Sequence, residues 1–233
     1  MKRVYKQVEA RPVEGGWGVA LDGRAMRTPG RNQLIVPGGP LATAIAAEWD
    51  AQREEIRPAT MPLTRLAATA IDRTAPQRQR VVAETAGYAA TDLVCYRAER
   101  PPALVARQAA EWQPLVDWAA ARYDAALAVT SGILPTPQSP AALRAFAAAV
   151  AAHDDFRLTA LHLLTACCGS LVIALAVTEA RLDAAAAFAL SQLDESFQIE
   201  AWGEDSEAAA RRHALAADIE AAARFIELLA QKA

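Results

Sequence analysis

Little in this sequence invites covalent or metal chemistry. Three cysteines in 233 residues, Cys95 and the adjacent pair Cys167-Cys168, give neither a disulfide framework nor the spaced ligands of a zinc site. A reducing compartment is expected. Aromatic residues make up only 6% of the chain, and the net charge is −3 with acids and bases interspersed, so the basic stripe that a nucleic-acid partner needs is missing. The start, Met1-Lys2-Arg3-Val4-Tyr5, enters strand-like sequence with neither an apolar signal core nor an Arg-rich, acid-poor presequence. The chain is expected to stay where it is made. Long apolar runs are scarce too. One segment could be mistaken for a membrane span: Thr159 to Thr178 carries no formal charge over a length that can cross a bilayer. His162, Thr165, Gly169 and Ser170 dilute it, and neither a basic cluster nor an aromatic belt flanks it. We expect the buried central helix of a soluble bundle, and no stable membrane insertion.

What the chain does have is alanine, which carries the hydrophobic content to 53% and favours closely packed helices. The texture changes near residue 75. Before it, Val4 to Val13, Gly16 to Leu21, Ala25 to Thr28 and Gln33 to Val36 are short candidate strands divided by Glu14-Gly15-Gly16, Asp22-Gly23 and Pro29-Gly30. Asp22-Gly23 is a hairpin signal. Pro40 suits the first turn of a helix in which Leu41, Ile45 and Trp49 recur on one face. Pro58 and Pro62 bias Arg57 and Met61 toward extended geometry. A stiff connector should therefore lead into a second helix, Leu63 to Asp72, with Thr60 or Thr64 as its cap. After residue 75 the pattern is helical, broken at Arg100-Pro101-Pro102, Leu134 to Pro140, Asp154-Asp155 and Trp202-Gly203. The predicted fold is α+β: a small antiparallel β-rich domain with packed helices over residues 1–75, then a larger all-α domain over 76–233.

In the helical half, Leu104, Gln108, Trp112, Leu115 and Ala119 trace a core stripe, as do Leu215, Ile219, Ala222, Ile226 and Leu229. A helix from Asp183 to Ala201 should bury Leu182, Ala186, Leu190, Leu193 and Phe197. At about 100° per residue, Asp194, Glu195, Gln198 and Trp202 gather on the opposite side. A tryptophan among acids on that face fits a docking surface, with the ring supplying area and the charges selectivity; the bland alternative is a solvated face whose Trp202 folds back onto a neighbouring helix. Enzyme readings are weaker. Asp194 and Glu195 are adjacent and diverge along a helix. His153, His162 and His213 are scattered, and no nucleophile elbow occurs. Gly169-Ser170 reads as a close helix contact. Gly15-Gly16-Trp17-Gly18 is followed by a strand, where a phosphate cradle needs a helix, and Gly38-Gly39-Pro40 lacks the lysine and hydroxyl of a nucleotide loop. No nucleotide, metal or organic cofactor is expected.

Gly16-Trp17, Leu21-Asp22-Gly23-Arg24, Thr28-Pro29, Glu48-Trp49-Asp50-x-Gln52, Pro58, Met61-Pro62-Leu63-Thr64, Asp72, Tyr88-x-x-Thr91-Asp92, Trp112 and Leu193-Asp194-Glu195-x-x-Gln198-x-x-x-Trp202-Gly203 together resemble the assembly chaperones of the F(1)-ATPase alpha subunit, in their bacterial form. The resemblance spans almost the whole chain. It implies a β-rich domain joined to a helical one. It also implies a non-enzymatic protein, monomeric when free, that binds the unassembled alpha subunit until the beta subunit replaces it. The family's important acid falls at Asp194 or Glu195, with Gln198 and Trp202 beside it as client contacts. Trp17, Asp22, Arg24, Trp49, Gln52, Met61, Pro62, Thr64 and Asp92 carry the family pattern. Trp49 sits on an inward stripe, whereas Asp50, Gln52 and the connector remain further candidates for contact. Without the targeting extension of mitochondrial relatives, a bacterial cytoplasmic location is implied. The competing class is a small hydrolase or transferase using the same carboxylates in an interdomain cleft; a third is an adaptor without chaperone activity.

Overall fold

A computed structural model of the chain describes residues 2–132 and 136–231. Strands β1 (Val8–Val13) and β2 (Gly16–Leu21) pair antiparallel through Glu14-Gly15. β3 (Arg24–Ala25) follows across Asp22-Gly23, whose φ values of 48° and 76° are the two left-handed positions of a type I′ hairpin turn. β4 (Ile35–Val36) pairs with the other end of β2, at Trp17 and Gly18. Because β3 and β4 share one side of β2, each takes only part of its length, and both are shorter than predicted. The first strand also starts later, at Val8. Ahead of it, the Asp22 carboxylate accepts the N–H groups of Lys6 and Gln7, and Lys2 bridges to Glu55.

Helix α1 (Gly39–Asp50) has Pro40 in its first turn and buries Leu41 and Ile45. A 3-10 turn at Pro58–Thr60 leads to α2 (Pro62–Thr69). The predicted end at Asp72 is not observed. The backbone widens into a π turn at Ala70–Thr74, tightens at Ala75–Gln77 and continues as α3 (Arg78–Gly87). Pro76 has no N–H to give the preceding turn, so the path changes pitch there and does not stop.

Among the described residues seven further α-helices follow: α4 (Pro102–Tyr123), α5 (Pro140–Ala151), α6 (Asp155–Cys168), α7 (Leu171–Thr178), α8 (Ala184–Ser191), α9 (Leu193–Trp202) and α10 (Ser206–Ala230). The predicted breaks around Pro101, Asp154 and Gly203 separate them. Of the break from Leu134 to Pro140, Leu134 and Pro135 lie outside the described residues; α5 opens at Pro140. A short parallel pair, β5 (Tyr96–Arg97) with β6 (Thr130–Ser131), was not predicted. The α+β class holds, with an antiparallel sheet before a mostly helical remainder.

Two predicted helices are each divided. Between Thr159 and Thr178, Gly169 takes φ 62° and ends α6, while the Ser170 hydroxyl accepts the Ile173 N–H to cap α7. This pair is a corner between helices, not a close contact inside one. Leu171 to Val177 are all buried. Among the described residues, no helix is long and apolar enough to cross a membrane.

The chain forms two compact units. One comprises Met1–Arg78, Asp154–Ala160 and Arg224–Ala233; the other comprises Gln79–His153 and Leu161–Ala223. In the first, the Thr74 and Thr159 hydroxyls are hydrogen-bonded at 2.7 Å and Phe156 stacks on Phe225. In the second, the stripe Leu104, Gln108, Trp112, Leu115 and Ala119 is buried as predicted.

Candidate functional site

The second divided helix builds the candidate site. Gln192, at φ −110° and ψ 23°, separates α8 from α9, so positions before and after it do not share one helical wheel. Leu190 and Leu193 are buried, but Leu182, Ala186 and Phe197 are only partly so. Leu182, Ala186, Leu190 and Leu193 instead line one wall of a groove of about 620 Å³, faced by Ala110, Pro114 and Leu115 of α4. The supposed inward stripe therefore opens partly onto the surface.

Within α9, Asp194, Gln198 and Trp202 are spaced by four, with Glu195 beside them. Glu195 and Gln198 are exposed. Trp202 is 81% exposed and does not fold back. It ends the helix at Gly203, whose φ is 83°. Glu200, Glu204 and Asp205 continue the acidic surface.

Asp194 behaves differently. Its Oδ1 accepts a 2.7 Å hydrogen bond from Gln108 Nε2, and Gln108 is 1% exposed. The Gln108 side-chain oxygen accepts the Ala98 N–H, while its carbonyl accepts from Arg97. Arg97 lies over the Trp112 ring at 5.4 Å, and the Trp112 indole donates to the Leu190 carbonyl. This buried network ties the start of α9 to α4. Arg107 clamps Glu200 through two contacts, at 2.8 and 3.0 Å. Arg212 reaches Gln192, Ser196 and Glu204. Arg97, Arg107 and Arg212 were not singled out from sequence. Gln108 carried the one available signal, a polar side chain within an apolar stripe.

The residues of the family pattern are mostly braces. Trp17 lies against Gly39, where an added Cβ would stand 3.1 Å from the indole. Asp22 closes its hairpin, and the Gln7 and Lys6 N–H groups hold its carboxyl below the usual range. Arg24 is exposed. Tyr5 donates to the Trp49 carbonyl and the two rings meet at 5.8 Å, beside buried Met61 and Ile56. Gln52 is 5% exposed; it donates to the Glu48 carbonyl and Thr60 hydroxyl and accepts the Arg57 N–H. Both ends of the Gln52 amide are thus engaged within the fold. Pro62 opens α2, but neither Thr60 nor Thr64 caps it. Glu48 does so from α1, accepting the Leu63 and Thr64 N–H groups. Burial pushes the Glu48 carboxyl up against those bonds. Asp92 is fully buried and accepts from Val94 and Val172.

Among the described residues, no three His, Cys, Asp or Glu side chains gather as metal ligands. The groove lining includes Glu111 but neither Asp194 nor Glu195, so the paired acids do not line this groove.

A family model described as "ATP12 chaperone protein" matches residues 2–120. The chain belongs to the ATP12 chaperone family. It is 47% identical to Atp12 of Paracoccus denitrificans, whose crystal structure superposes with a TM-score of 0.94 over 98% of both chains. An Asp-to-Lys mutant of that protein gives the same TM-score. The Atu1473 protein of Agrobacterium tumefaciens is 41% identical, with a TM-score of 0.94 over 98% of this chain and 86% of its own. More distantly, the chain is similar to the mitochondrial protein atp12 of Schizosaccharomyces pombe, 23% identical over 87% of this chain and 74% of the relative. The likeness to these ATP12 proteins extends beyond residue 120 into α9.

Proposed function

We propose that the chain is an assembly chaperone of the ATP synthase F(1) sector, acting in the bacterial cytoplasm. It captures the unassembled alpha subunit through the α9 face and is displaced by the beta subunit. The observation that carries this reading is Trp202, 81% exposed on an acidic helix that lines a partly apolar groove. An unpaired alpha subunit presents apolar interface that aggregates. A reversible cover needs a rigid aromatic anchor and selective charge, and no bond-making chemistry or cofactor. Glu195, Gln198 and Trp202 are the contacts in this reading, while Asp194 orients them through Gln108. The free chaperone is a monomer.

The test uses isolated alpha subunit. The chaperone should co-purify with it, suppress its light scattering near equimolar ratio and release it when beta subunit is added. If alpha neither binds nor stays soluble longer, the assignment fails although family membership stands. Turnover in a hydrolase or transferase screen would instead favour an enzyme.

A further inference from the structure

The first unit carries an apolar surface that the α9 face does not use. Tyr5, Leu21, Met26, Trp49 and Ile56 floor an open pocket of about 950 Å³. Val4 stands at its edge, 88% exposed, a large apolar side chain left in water where a partner can cover it. Trp49 also has a buried indole N–H with no acceptor among the described residues, a donor whose desolvation is uncompensated.

The rim is mainly basic. Lys2, Arg24 and Arg27 line it. Among the described residues no hydrogen-bonded ion pair holds Lys2 or Arg24, although Arg24 is close enough to Asp22 to help lower its carboxyl, and the Arg27 side chain donates to the Arg31 carbonyl. The single acid there, Asp22, already accepts two backbone N–H groups. The surrounding sequence has the same bias. In a chain of net charge −3, the first 31 residues hold seven Lys and Arg against three Asp and Glu. Complementarity therefore selects an acidic partner.

We propose that this pocket docks an extended peptide segment in which apolar side chains are flanked by carboxylates. The apolar side chains cover the floor and Val4, the ring of Trp49 included, and the carboxylates meet Lys2, Arg24 and Arg27. The pocket shares no residue with the α9 face and stands whether or not that face binds the alpha subunit.

The probe is fluorescein-labelled Gly-Asp-Glu-Leu-Phe-Asp-Glu-Gly, with a counterpart in which every acid is lysine, titrated by polarisation against the full chain. The acidic peptide should bind, weaken with added salt and lose at least tenfold affinity to the double variant Arg24→Glu/Arg27→Glu, both sites being exposed; the lysine peptide should not bind. In a ¹H–¹⁵N spectrum, the indole cross-peak that disappears in Trp49→Phe should move on addition of peptide. Equal binding of both peptides, no binding, full affinity in the double variant or an unmoved Trp49 peak each overturns the proposal. Concentration-dependent dimerisation of the chain, abolished by Val4→Asp, would assign the surface to a second copy and overturn it as well.

Discussion

Glu48 holds Thr64 by two atoms at once: its Oε2 accepts the Thr64 backbone N–H at 2.8 Å and the hydroxyl at 2.6 Å. Its other oxygen accepts the Leu63 N–H at 2.7 Å. A carboxylate near the end of α1 thereby supplies the acceptors that the first turn of α2 lacks. With Gln52 bonded at both ends of its amide, this contact sets the path of the connector from Arg53 to Met61. Glu48→Ala leaves those N–H groups unpaired and should lower the unfolding free energy by about 2 kcal/mol. Glu48→Gln, which keeps one acceptor oxygen, should cost less. Urea denaturation of the two variants checks the order.

Asp92 gives a pH signature. Burial pushes its carboxyl up to about 6, despite hydrogen bonds from Ser170, Val172, Val94 and Leu171. The folded value lies above the 3.8 of an exposed aspartate, so over that interval the folded state retains a proton that the unfolded chain releases. The contribution is complete below the unfolded value and is lost as pH rises through the folded one. Asp92→Asn keeps this side chain neutral. The stability of the parent relative to Asp92→Asn should therefore rise by about 3 kcal/mol on acidification from neutral pH. Paired urea melts across that range measure the difference, in which other titrating groups cancel.

Gly30 and Asp72 form one unit. The Asp72 carboxylate accepts from the Thr28 hydroxyl, the Gly30 N–H and the Asn32 amide at 2.7, 2.7 and 2.8 Å. A Cβ at Gly30 would stand 2.6 Å from Asp72 Oδ1. Gly30→Ala must displace the carboxylate and should cost about 1–2 kcal/mol. Asp72→Ala should cost a similar amount, and the double variant little more than either, since each removes the same contacts.

These pairs also show where the sequence was legible. Local periodicity and turn chemistry placed the Asp22-Gly23 hairpin, α1 and the buried stripe from Leu104 to Ala119, because each depends on neighbours a few residues apart. The division of 183–201 at Gln192 was hidden, since Leu190, Leu193 and Phe197 keep helical spacing across a change of direction. Glu48 meeting Thr64 across 16 residues, and Gln108 meeting Asp194 across 86, depend on tertiary placement that no local pattern encodes. The acidic face was readable as residue types and not as roles. Asp194 and Glu195 are neighbours in sequence, yet one is engaged by Gln108 and the other is exposed.

That difference separates the two acids experimentally. Glu195→Lys alters an exposed position, so its effect on thermal stability should lie within about 0.5 kcal/mol; under the proposed function it should weaken capture of isolated alpha subunit at least tenfold. Asp194→Lys places a cation against Gln108 Nε2, which can only donate, and should lower stability by about 1–3 kcal/mol as well as impairing capture. Gln108→Leu decides between contact and positioning. It leaves every exposed group of α9 intact but removes the bond that orients Asp194. If Asp194 acts by positioning, Gln108→Leu should reproduce both the stability loss and part of the binding loss. Measured per folded molecule, full capture in Gln108→Leu with loss in Asp194→Lys would instead make Asp194 a direct client contact.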